Sequence, residues 1–428
     1  MDQLDQIEIL GGISLYGEIP VQGCKNAALP IMAAAILQSG EVELQNCPEI
    51  SDVFLMMSIL EELGCKCTLK KHTLHMDTAG IDHSEIPGRF GKTMRSVITL
   101  AGSLLGRLGE CSIPYPGGCV IGSRPIDFHL DAFRSMGVEI DEEEERITGK
   151  TNYLKGSIIK LPFPSVGATQ NCILAAVLAH GKTVIYGAAR EPEVVELCEF
   201  LLGMGACICG AGTDRIVISG VRKLHGITFC LSSDRIVAGT YLLAAAGSRG
   251  KLTLVNAPVK ALGNLRSLLE TMGAEWQEEE DRIILNGEKA YQPIPYVRTA
   301  PYPGFSTDLQ SQLLAVLAIS YGESVLEERI FEARFKIVEP LKAMGADLEI
   351  TGNSVKVRGV PALYGAKVTA GELRGGAALV TAGLLAEGKT IIENPCFIDR
   401  GYEDICADLR RAGAAIRRKK SGDEKDKA

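Results

Sequence analysis

The chain has 428 residues, of which 46% are hydrophobic and only 5% aromatic. This length predicts two domains of about 200 residues each, and the composition favours an α/β (α+β) fold. The net charge of −8 argues against a nucleic-acid partner, because binding to a phosphate backbone requires a basic surface. An anionic small-molecule ligand would therefore have to be bound by locally placed Arg and Lys.

The first ten residues are typical of a strand rather than of a charged and then apolar leader. The longest apolar run, residues 29–37, is far shorter than the roughly 20 residues that cross a bilayer. We therefore expect a cytoplasmic protein without a membrane partner. The 13 cysteines show no structural-zinc spacing with histidine, so we predict no metal site and reduced, mostly buried thiols.

A helix-like segment that ends in an apolar residue and a glycine recurs six times along the chain. The six glycines are Gly64, Gly137, Gly205, Gly273, Gly345 and Gly413. They are about 70 residues apart, which indicates an internal repeat. An Ala-rich helix and a Gly-led strand lie upstream of each of these segments, and an alternating stretch with a polar turn, typical of a β-hairpin, follows most of them. Each repeat is thus predicted to be βαβαββ.

Six repeats predict two lobes. Residues 22–232 would hold repeats one to three together with a loop around Cys119, and residues 233–416 would hold repeats four to six. Residues 1–21 contain two strands that we expect to pair with the last repeat and so to complete the second lobe. Residues 417–428 are predicted to form a charged, disordered tail. Because the chain would cross between the lobes twice, the crossings are predicted to act as a hinge.

Charged and polar residues recur where the Ala-rich helices are predicted to begin. These starts are residues 25–26, 92–95, 165–169, 234–235, 307–308 and 372–374. The loops before the second helices add Arg124, Arg190, Arg334 and Arg400. Helix N-termini carry free N–H groups, and the arginine fork can bind carboxylate or phosphate at two points. Each residue alone is equally compatible with an ordinary cap or surface charge, but their recurrence favours an anion-binding role.

The segment 116–125, with the sequence PGGCVIGSRP, is the sharpest local signal. Two glycines precede Cys119, and Arg124 follows it closely. A single cysteine usually packs inertly, but an exposed thiol near positive charge is the kind that becomes reactive. We therefore predict a reactive role for Cys119.

Six motifs resemble those of the enolpyruvyl transferase superfamily, and within it the branch that acts on UDP-N-acetylglucosamine. They are CKNAALP at 24–30, TMRSVITLAG at 93–102, PGGCVIGSRPIDFHL at 116–130, AAREPEV at 188–194, VRTAPYPGFSTDLQ at 297–310 and IDRGYE at 398–403. The resemblance spans residues 5–415. It implies a two-domain inside-out α/β barrel and transfer of an enolpyruvyl group from phosphoenolpyruvate to the sugar 3′-hydroxyl. This transfer is the first committed step of peptidoglycan synthesis. The resemblance implies no metal or organic cofactor.

The resemblance also implies roles for individual residues. Those expected to contact phosphoenolpyruvate are Lys25, Asn26, Arg124 and Arg400. Cys119 would protonate the methylene carbon, and Asp308 would take the proton from the sugar hydroxyl. The residues expected to bind the UDP-sugar are Arg95, Arg124, Pro125, Ile126, Asp127, Phe128, His129, Ser165, Val166, Asp308 and the backbone at Ile330. Arg334 and Arg374 are further candidates for substrate binding.

Several positions depart from the family pattern. Glu372 replaces an Asp, Ala333 an Asn and Ser51 a Lys, while Val237-Ala238 stands for Glu-Thr and Lys336-Ile337 for Met-His. These departures leave open a non-catalytic, regulatory paralogue that binds a UDP-sugar, and a shikimate 3-phosphate enolpyruvyl transferase is a further alternative. A purely structural repeat protein is disfavoured, because solenoids do not place charged residues at helix starts in every unit.

Overall fold

The computed structural model describes residues 5–91, 93–115 and 126–419. These residues fall into two compact units that separate between Gln22 and Gly23 and again between Ser232 and Ser233. We call the described residues from 23 to 232 unit I, and residues 5–22 with 233–419 unit II. Gln22 was predicted to open the lobe 22–232, but its carbonyl accepts from the amide of Asp234 and its side chain donates to the carbonyl of Gly401, which places it in unit II.

Unit I contains six of the α-helices that the structure describes, and unit II contains six more. In unit I they are α1 Lys25–Ala35, α2 Ser51–Glu62, α3 Leu100–Leu108, α4 Asp127–Ser135, α5 Val166–Ala176 and α6 Pro192–Gly203. In unit II they are α7 Arg235–Gly247, α8 Leu265–Met272, α9 Gln310–Leu317, α10 Val338–Ala343, α11 Leu373–Leu385 and α12 Ile405–Arg411. Two helices per repeat were predicted, and the described residues confirm this.

The strands are short, mostly of three to five residues. Those of unit I are β3 Glu41–Gln45, β4 Lys66–Lys70, β5 Thr73–Asp77, β6 Glu110–Pro114, β7 Glu139–Glu142, β8 Arg146–Lys150, β9 Ile158–Lys160, β10 Lys182–Tyr186, β11 Cys207–Cys209, β12 Arg215–Ser219 and β13 Thr228–Cys230. Those of unit II are β1 Gln6–Leu10, β2 Tyr16–Pro20, β14 Lys251–Val255, β15 Glu275–Glu278, β16 Arg282–Asn286, β17 Tyr296–Arg298, β18 Glu323–Glu327, β19 Asp347–Thr351, β20 Ser354–Arg358, β21 Lys367–Thr369, β22 Lys389–Glu393 and β23 Ala415–Lys419.

Six sheets organise these strands, three in each unit. The sheets of unit I have the orders β13-β3-β5-β4, β6-β8-β7 and β11-β12-β10-β9, and those of unit II have the orders β15-β16-β14-β2, β17-β18-β20-β19 and β21-β22-β1-β23. Five of them join one parallel pair to antiparallel neighbours, as β17 and β18 do with β20 and β19. The predicted hairpins after the helix-ending glycines are present, and the mixed α/β class is confirmed.

The six repeat glycines share one backbone conformation. Their φ angles lie between +85° and +103°, in the left-handed region that side chains with a Cβ rarely adopt. Each follows the second helix of its repeat, where it ends the helix and turns the chain towards the next strand. The recurrence of glycine in the sequence therefore reports a recurring backbone requirement.

The N-terminal strands were predicted to pair with the last repeat, and this is right for β1 and wrong for β2. β1 lies between β22 and β23, whereas β2 runs parallel to β14 of the fourth repeat. The strand that precedes α7 in the chain, β13, pairs instead with β3 in unit I. In the sheet of the fourth repeat, β2 therefore occupies the place beside β14 that the preceding strand of the chain, β13, would otherwise fill.

The last strand extends three residues into the predicted tail. β23 continues to Lys419. Arg417 and Arg418 form ion pairs with acidic residues of the same unit, Glu8 and Asp399, and these pairs stabilise the end of the strand. The prediction of disorder is thus wrong for residues 417–419, and residues 420–428 lie outside the described part of the chain.

Two of the predicted helix starts are also wrong as α-helix starts. The Ala-rich helices α3 and α9 begin at Leu100 and Gln310, and each is preceded by a 3₁₀ segment, Arg95–Thr99 and Thr307–Leu309. In the second case the hydroxyl of Ser306 accepts from the amide of Asp308, and such local bonds favour a tight turn over a regular helix. In unit II, α7, α9 and α11 pack on one another, which gathers their N-terminal residues.

Candidate functional site

Lys25 is the first residue of α1, and its side chain is buried beside Asp52. The ammonium nitrogen lies 2.7 Å from Oδ2 of Asp52, which belongs to the first turn of α2. A buried ammonium is costly unless it is paired, and this carboxylate supplies the opposite charge beside Lys25 at the N-terminus of α1. Asn26 follows in the same turn and is half-buried. Unit I thus holds a fixed cation beside a helix N-terminus.

His129 is buried in α4, and its tautomer is determined by Asn171. The Asn171 amide is oriented by two backbone contacts, since its oxygen accepts from the amide of Gly102 and its nitrogen donates to the carbonyl of Ile98. The same nitrogen lies 2.8 Å from Nδ1 of His129. Nδ1 must therefore accept, which puts the proton of the neutral ring on Nε2.

The surroundings of His129 keep its ring neutral. Burial, and then the positive charge of Arg95, lower the pKa of His129 to about 4. The Nε2 edge faces the first turn of α5, because a Cβ added at Gly167 would lie 3.6 Å from Nε2. Ser165 caps this helix by accepting from the amide of Ala168. A neutral N–H donor and a helix N-terminus thus lie together in unit I.

The other predicted residues of this region occupy the start of α4 and the start of α5. Ile126 is buried just before α4, Asp127 is exposed, and Phe128 is half-buried. Val166 is the first residue of α5 and is half-buried. The remaining predicted residues, Cys119, Arg124 and Pro125, lie outside the described part of the chain.

Asp308 lies between two buried guanidinium groups of unit II. Its Oδ1 is 2.6 Å from Arg334, and its Oδ2 is 2.8 Å from Arg374. Burial alone would raise the pKa of Asp308, but the charges of Arg374, Arg334 and Arg235 together with the hydrogen bond from Arg374 outweigh it and hold the pKa well below its usual range. Asp308 is therefore an ionised carboxylate at every physiological pH.

Arg374 has hydrogen-bonding capacity that the described residues do not use. It belongs to the first turn of α11, where the side chain of Glu372 accepts from the amides of Arg374 and Gly375. Arg374 is only 4% exposed, and its Nη1 has no hydrogen-bond partner among the residues that the structure describes. A buried guanidinium with an unused N–H next to a helix N-terminus is suited to bind an anionic oxygen.

The backbone of Ile330 is held by Glu328. Oε1 of Glu328 accepts from the amides of Ile330 and Phe331, and Oε2 accepts from the hydroxyl of Thr307. Arg400 ends the 3₁₀ segment Pro395–Arg400 and is half-buried. The loop of Ile330 and the turn of Asp308 are thus tied together within unit II.

The described residues contain no group of three or more His, Cys, Asp or Glu side chains placed to hold a metal ion. None of the helices described is long and apolar enough to span a membrane.

Comparison with known proteins gives a consistent family assignment. The family model described as EPSP synthase (3-phosphoshikimate 1-carboxyvinyltransferase) matches residues 10–409. A UDP-N-acetylglucosamine 1-carboxyvinyltransferase 2 of Caldanaerobacter subterraneus is 48% identical over 96% of this chain and 99% of the relative. A UDP-N-acetylglucosamine 1-carboxyvinyltransferase 1 of Staphylococcus aureus is 43% identical over 97% of this chain and 99% of the relative. The chain belongs to the UDP-N-acetylglucosamine 1-carboxyvinyltransferase family.

The members of this carboxyvinyltransferase family are enzymes, and two solved structures share the fold of this chain. The enolpyruvyl transferase NikO of Streptomyces tendae has a TM-score of 0.86 at 25% identity and covers 97% of this chain and 99% of its own. An EPSP synthase of Acinetobacter baumannii has a TM-score of 0.75 at 19% identity, covering 97% of this chain and 100% of its own. The second likeness supports the fold alone.

Asn171 and Glu328, which orient residues of the candidate site, were not predicted from the sequence. Asn171 lies within the apolar stretch of α5, and Glu328 follows directly after β18. A polar residue inside an apolar helix has to be hydrogen-bonded once it is buried, so Asn171 carried a usable signal. Glu328 stands in the acidic sequence EER, which is equally typical of an exposed turn, and nothing local distinguished it.

Proposed function

We propose that the chain transfers the enolpyruvyl group of phosphoenolpyruvate to the 3′-hydroxyl of UDP-N-acetylglucosamine and releases phosphate, as the first committed step of peptidoglycan synthesis. The observation that carries the proposal is the placement of Asp308 in a chain 48% identical to a UDP-N-acetylglucosamine 1-carboxyvinyltransferase. Two guanidinium groups hold this carboxylate ionised, in the form that can accept a proton.

The proposed reaction begins at the methylene carbon of phosphoenolpyruvate. Protonation there makes the adjacent carbon electrophilic, and the sugar oxygen attacks it to give a tetrahedral phosphate ketal. We assign the proton donor to Cys119 on the strength of the family resemblance. Loss of phosphate and of a methyl proton then restores the enol ether. The overall change exchanges a C–O bond to phosphate for one to the sugar, with no oxidation or reduction.

Asp308 is proposed as the base that takes the hydroxyl proton. A carboxylate paired with Arg334 and Arg374 has a low proton affinity, so it cannot deprotonate a free alcohol. It can accept the proton as the new C–O bond forms, because the attacking oxygen then becomes strongly acidic. The arginines therefore tie proton transfer to bond formation.

The cationic groups are proposed to hold the two anionic substrates. Lys25, with Asn26 beside it, would contact phosphoenolpyruvate in unit I, and Arg124 and Arg400 would share its phosphate and carboxylate. The unused N–H of Arg374 would bind a further anionic oxygen. Neutralising and orienting two such ligands can supply several kcal/mol of the barrier reduction.

The UDP-sugar is proposed to bind the elements that surround His129. The Nε2–H of a neutral imidazole is a donor suited to a carbonyl or phosphate oxygen, and the N-terminus of α5 at Ser165 and Val166 offers amide donors. By the family resemblance, Arg95, the segment 124–128 and the backbone at Ile330 are further contacts of the UDP-sugar.

A cytoplasmic location is proposed as well. The 12 cysteines within the described residues are all free thiols, which is typical of proteins kept in a reducing compartment.

The test is an assay of phosphate release from phosphoenolpyruvate with three acceptor conditions: UDP-N-acetylglucosamine, shikimate 3-phosphate, or none. The proposal predicts sustained release with the UDP-sugar only, together with a sugar nucleotide that has gained one enolpyruvyl group by mass spectrometry. Release with shikimate 3-phosphate alone would favour the activity in the description of the family model. Calorimetric binding of the UDP-sugar without turnover would favour the non-catalytic paralogue.

A further inference from the structure

Glu328 is a buried carboxylate outside the residues assigned to substrate or to chemistry. It follows β18 directly and is 3% exposed. A charged group at this depth is costly unless its oxygens are hydrogen-bonded, so the identity of its donors shows what it organises.

Four donors reach Glu328, and they come from three separate segments of unit II. Oε1 accepts from the hydroxyl of Thr299 at 2.7 Å and from the amides of Ile330 at 2.7 Å and Phe331 at 3.2 Å. Oε2 accepts from the hydroxyl of Thr307 at 2.9 Å. One carboxylate therefore joins the end of β17, the turn of residue 307 and the loop after β18.

Two of these segments carry the proposed chemistry. Thr307 directly precedes Asp308, and its carbonyl oxygen accepts from Nε of Arg334 at 3.4 Å and from Nη2 at 3.3 Å. The Phe331 ring lies 5.5 Å from the Arg334 guanidinium carbon. The turn with Asp308 and the loop that leads to Arg334 thus meet at Glu328 on one side and at the Asp308–Arg334 ion pair on the other.

We propose that Glu328 is a positioning residue for enolpyruvyl transfer. Through Oε2 and Thr307 it sets the direction of the Asp308 carboxylate, and through Oε1 it sets the backbone of Ile330. This inference rests on the proposed function, since it assigns Glu328 a part in that same reaction. Without the Oε2 contact, the turn at 307–309 is held by fewer hydrogen bonds. The direction of the Asp308 carboxylate is then set by Arg334 and Arg374 alone and not by the position of the sugar hydroxyl.

The single bond from Thr307 to Oε2 can be removed without removing Glu328. Thr307→Val has nearly the same shape but no hydroxyl, whereas Thr307→Ser keeps the hydroxyl. The matched control is Thr299→Val, because Thr299 is equally β-branched and donates to the same carboxylate but does not adjoin Asp308 in the chain. It also accepts from the amide of Arg329, so its loss disturbs at least as many hydrogen bonds.

The experiment measures kcat, the KM of each substrate and the thermal midpoint for wild type, Thr307→Val, Thr307→Ser and Thr299→Val. Because a misplaced catalytic group can cost one to two orders of magnitude, we expect Thr307→Val to lower kcat about tenfold and leave the KM of phosphoenolpyruvate within about twofold. Thr307→Ser is expected to restore kcat. Thr299→Val is expected to lower the thermal midpoint at least as much as Thr307→Val does, while its kcat stays within about twofold of wild type.

The outcomes separate this inference from the proposed function. If wild-type protein of confirmed fold releases no phosphate, the proposed function fails and this inference fails with it, before any variant is compared. If wild type is active but Thr307→Val and Thr299→Val change kcat equally, whether strongly or not at all, Glu328 has only a structural role. A drop in Thr307→Val that Thr307→Ser does not rescue would also overturn the inference.

Discussion

The ammonium of Lys25 lies 2.7 Å from Oδ2 of Asp52, and both residues are almost fully buried. This pair joins the first turns of α1 and α2, so it fixes Lys25, one of the two residues of α1 that are proposed to contact phosphoenolpyruvate.

Asp52→Asn should therefore impair both stability and turnover. Removing one charge of a buried pair is strongly destabilising, and we expect a loss of about 3–5 kcal/mol in unfolding free energy and a fall in kcat/KM of at least about tenfold. The double variant Lys25→Met with Asp52→Asn should recover stability but not activity. Urea denaturation and the phosphate assay measure the two effects. Glu339→Gln, which removes an exposed ion pair with Lys342, is the control; a similar loss there would contradict the account.

The neutral His129 predicts a pH dependence of stability. Its folded-state pKa of about 4 lies below the unfolded value of about 6.5, so the unfolded chain binds more protons between these values. Stability contributed by the neutral ring is present above about pH 6.5 and is lost as the pH falls towards 4, by ~3 kcal/mol in total. His129→Asn should flatten the unfolding free energy across this window, measured by urea denaturation at several pH values. An equal flattening by His83→Asn, an exposed histidine, would refute the assignment.

The replacement of Asp by Glu372 should not impair the enzyme. Glu372 caps α11 by accepting from the amides of Arg374 and Gly375, which is the role that Asp also fills well. We expect Glu372→Asp to keep kcat/KM within about threefold of wild type, and Glu372→Ala to lose about 1 kcal/mol of stability because the cap is gone. A large rise in activity on Glu372→Asp would instead show that this departure weakens catalysis.

Cys119 should be the preferred target of an epoxide phosphonate that resembles phosphoenolpyruvate. Burial raises the pKa of the thiols of Cys111, Cys172 and Cys198 to about 12, so these are poor nucleophiles. Peptide mass mapping should find the adduct at Cys119, and Cys119→Asp should abolish labelling while a carboxyl group can still deliver a proton. Labelling chiefly at the exposed Cys207 or Cys396 would reject the assignment.

Much of the fold could be predicted because the repeat is marked by residues with special backbone needs. Glycine at each helix end reported a left-handed turn, as at Gly273 with φ of +103°. The pairing of β2 could not be predicted in the same way, because its sequence fits any leading-strand position and its partner β14 is more than 200 residues away. The choice depends on tertiary context, namely that β13 is already paired with β3.

The sequence offered Lys25 and Asp308 as candidates because charged residues recur at the predicted helix starts and because the motifs around them resemble those of the family. The residues that orient them were harder to find. Asp52 and Glu328 act through partners distant in sequence, and a carboxylate in a short polar segment looks the same whether it is solvated or buried. The tautomer of His129 likewise depends on Asn171, which lies on another helix.

The most direct test of the central claim compares phosphate release by wild type and by Asp308→Asn with phosphoenolpyruvate and UDP-N-acetylglucosamine. Asn keeps the shape of Asp308 but cannot accept a proton, so the account predicts sustained release by wild type and a fall in kcat of roughly 10²–10⁴-fold in the variant. Circular dichroism would establish that both are folded. Equal rates for the two proteins, or no release by folded wild type, would contradict the account.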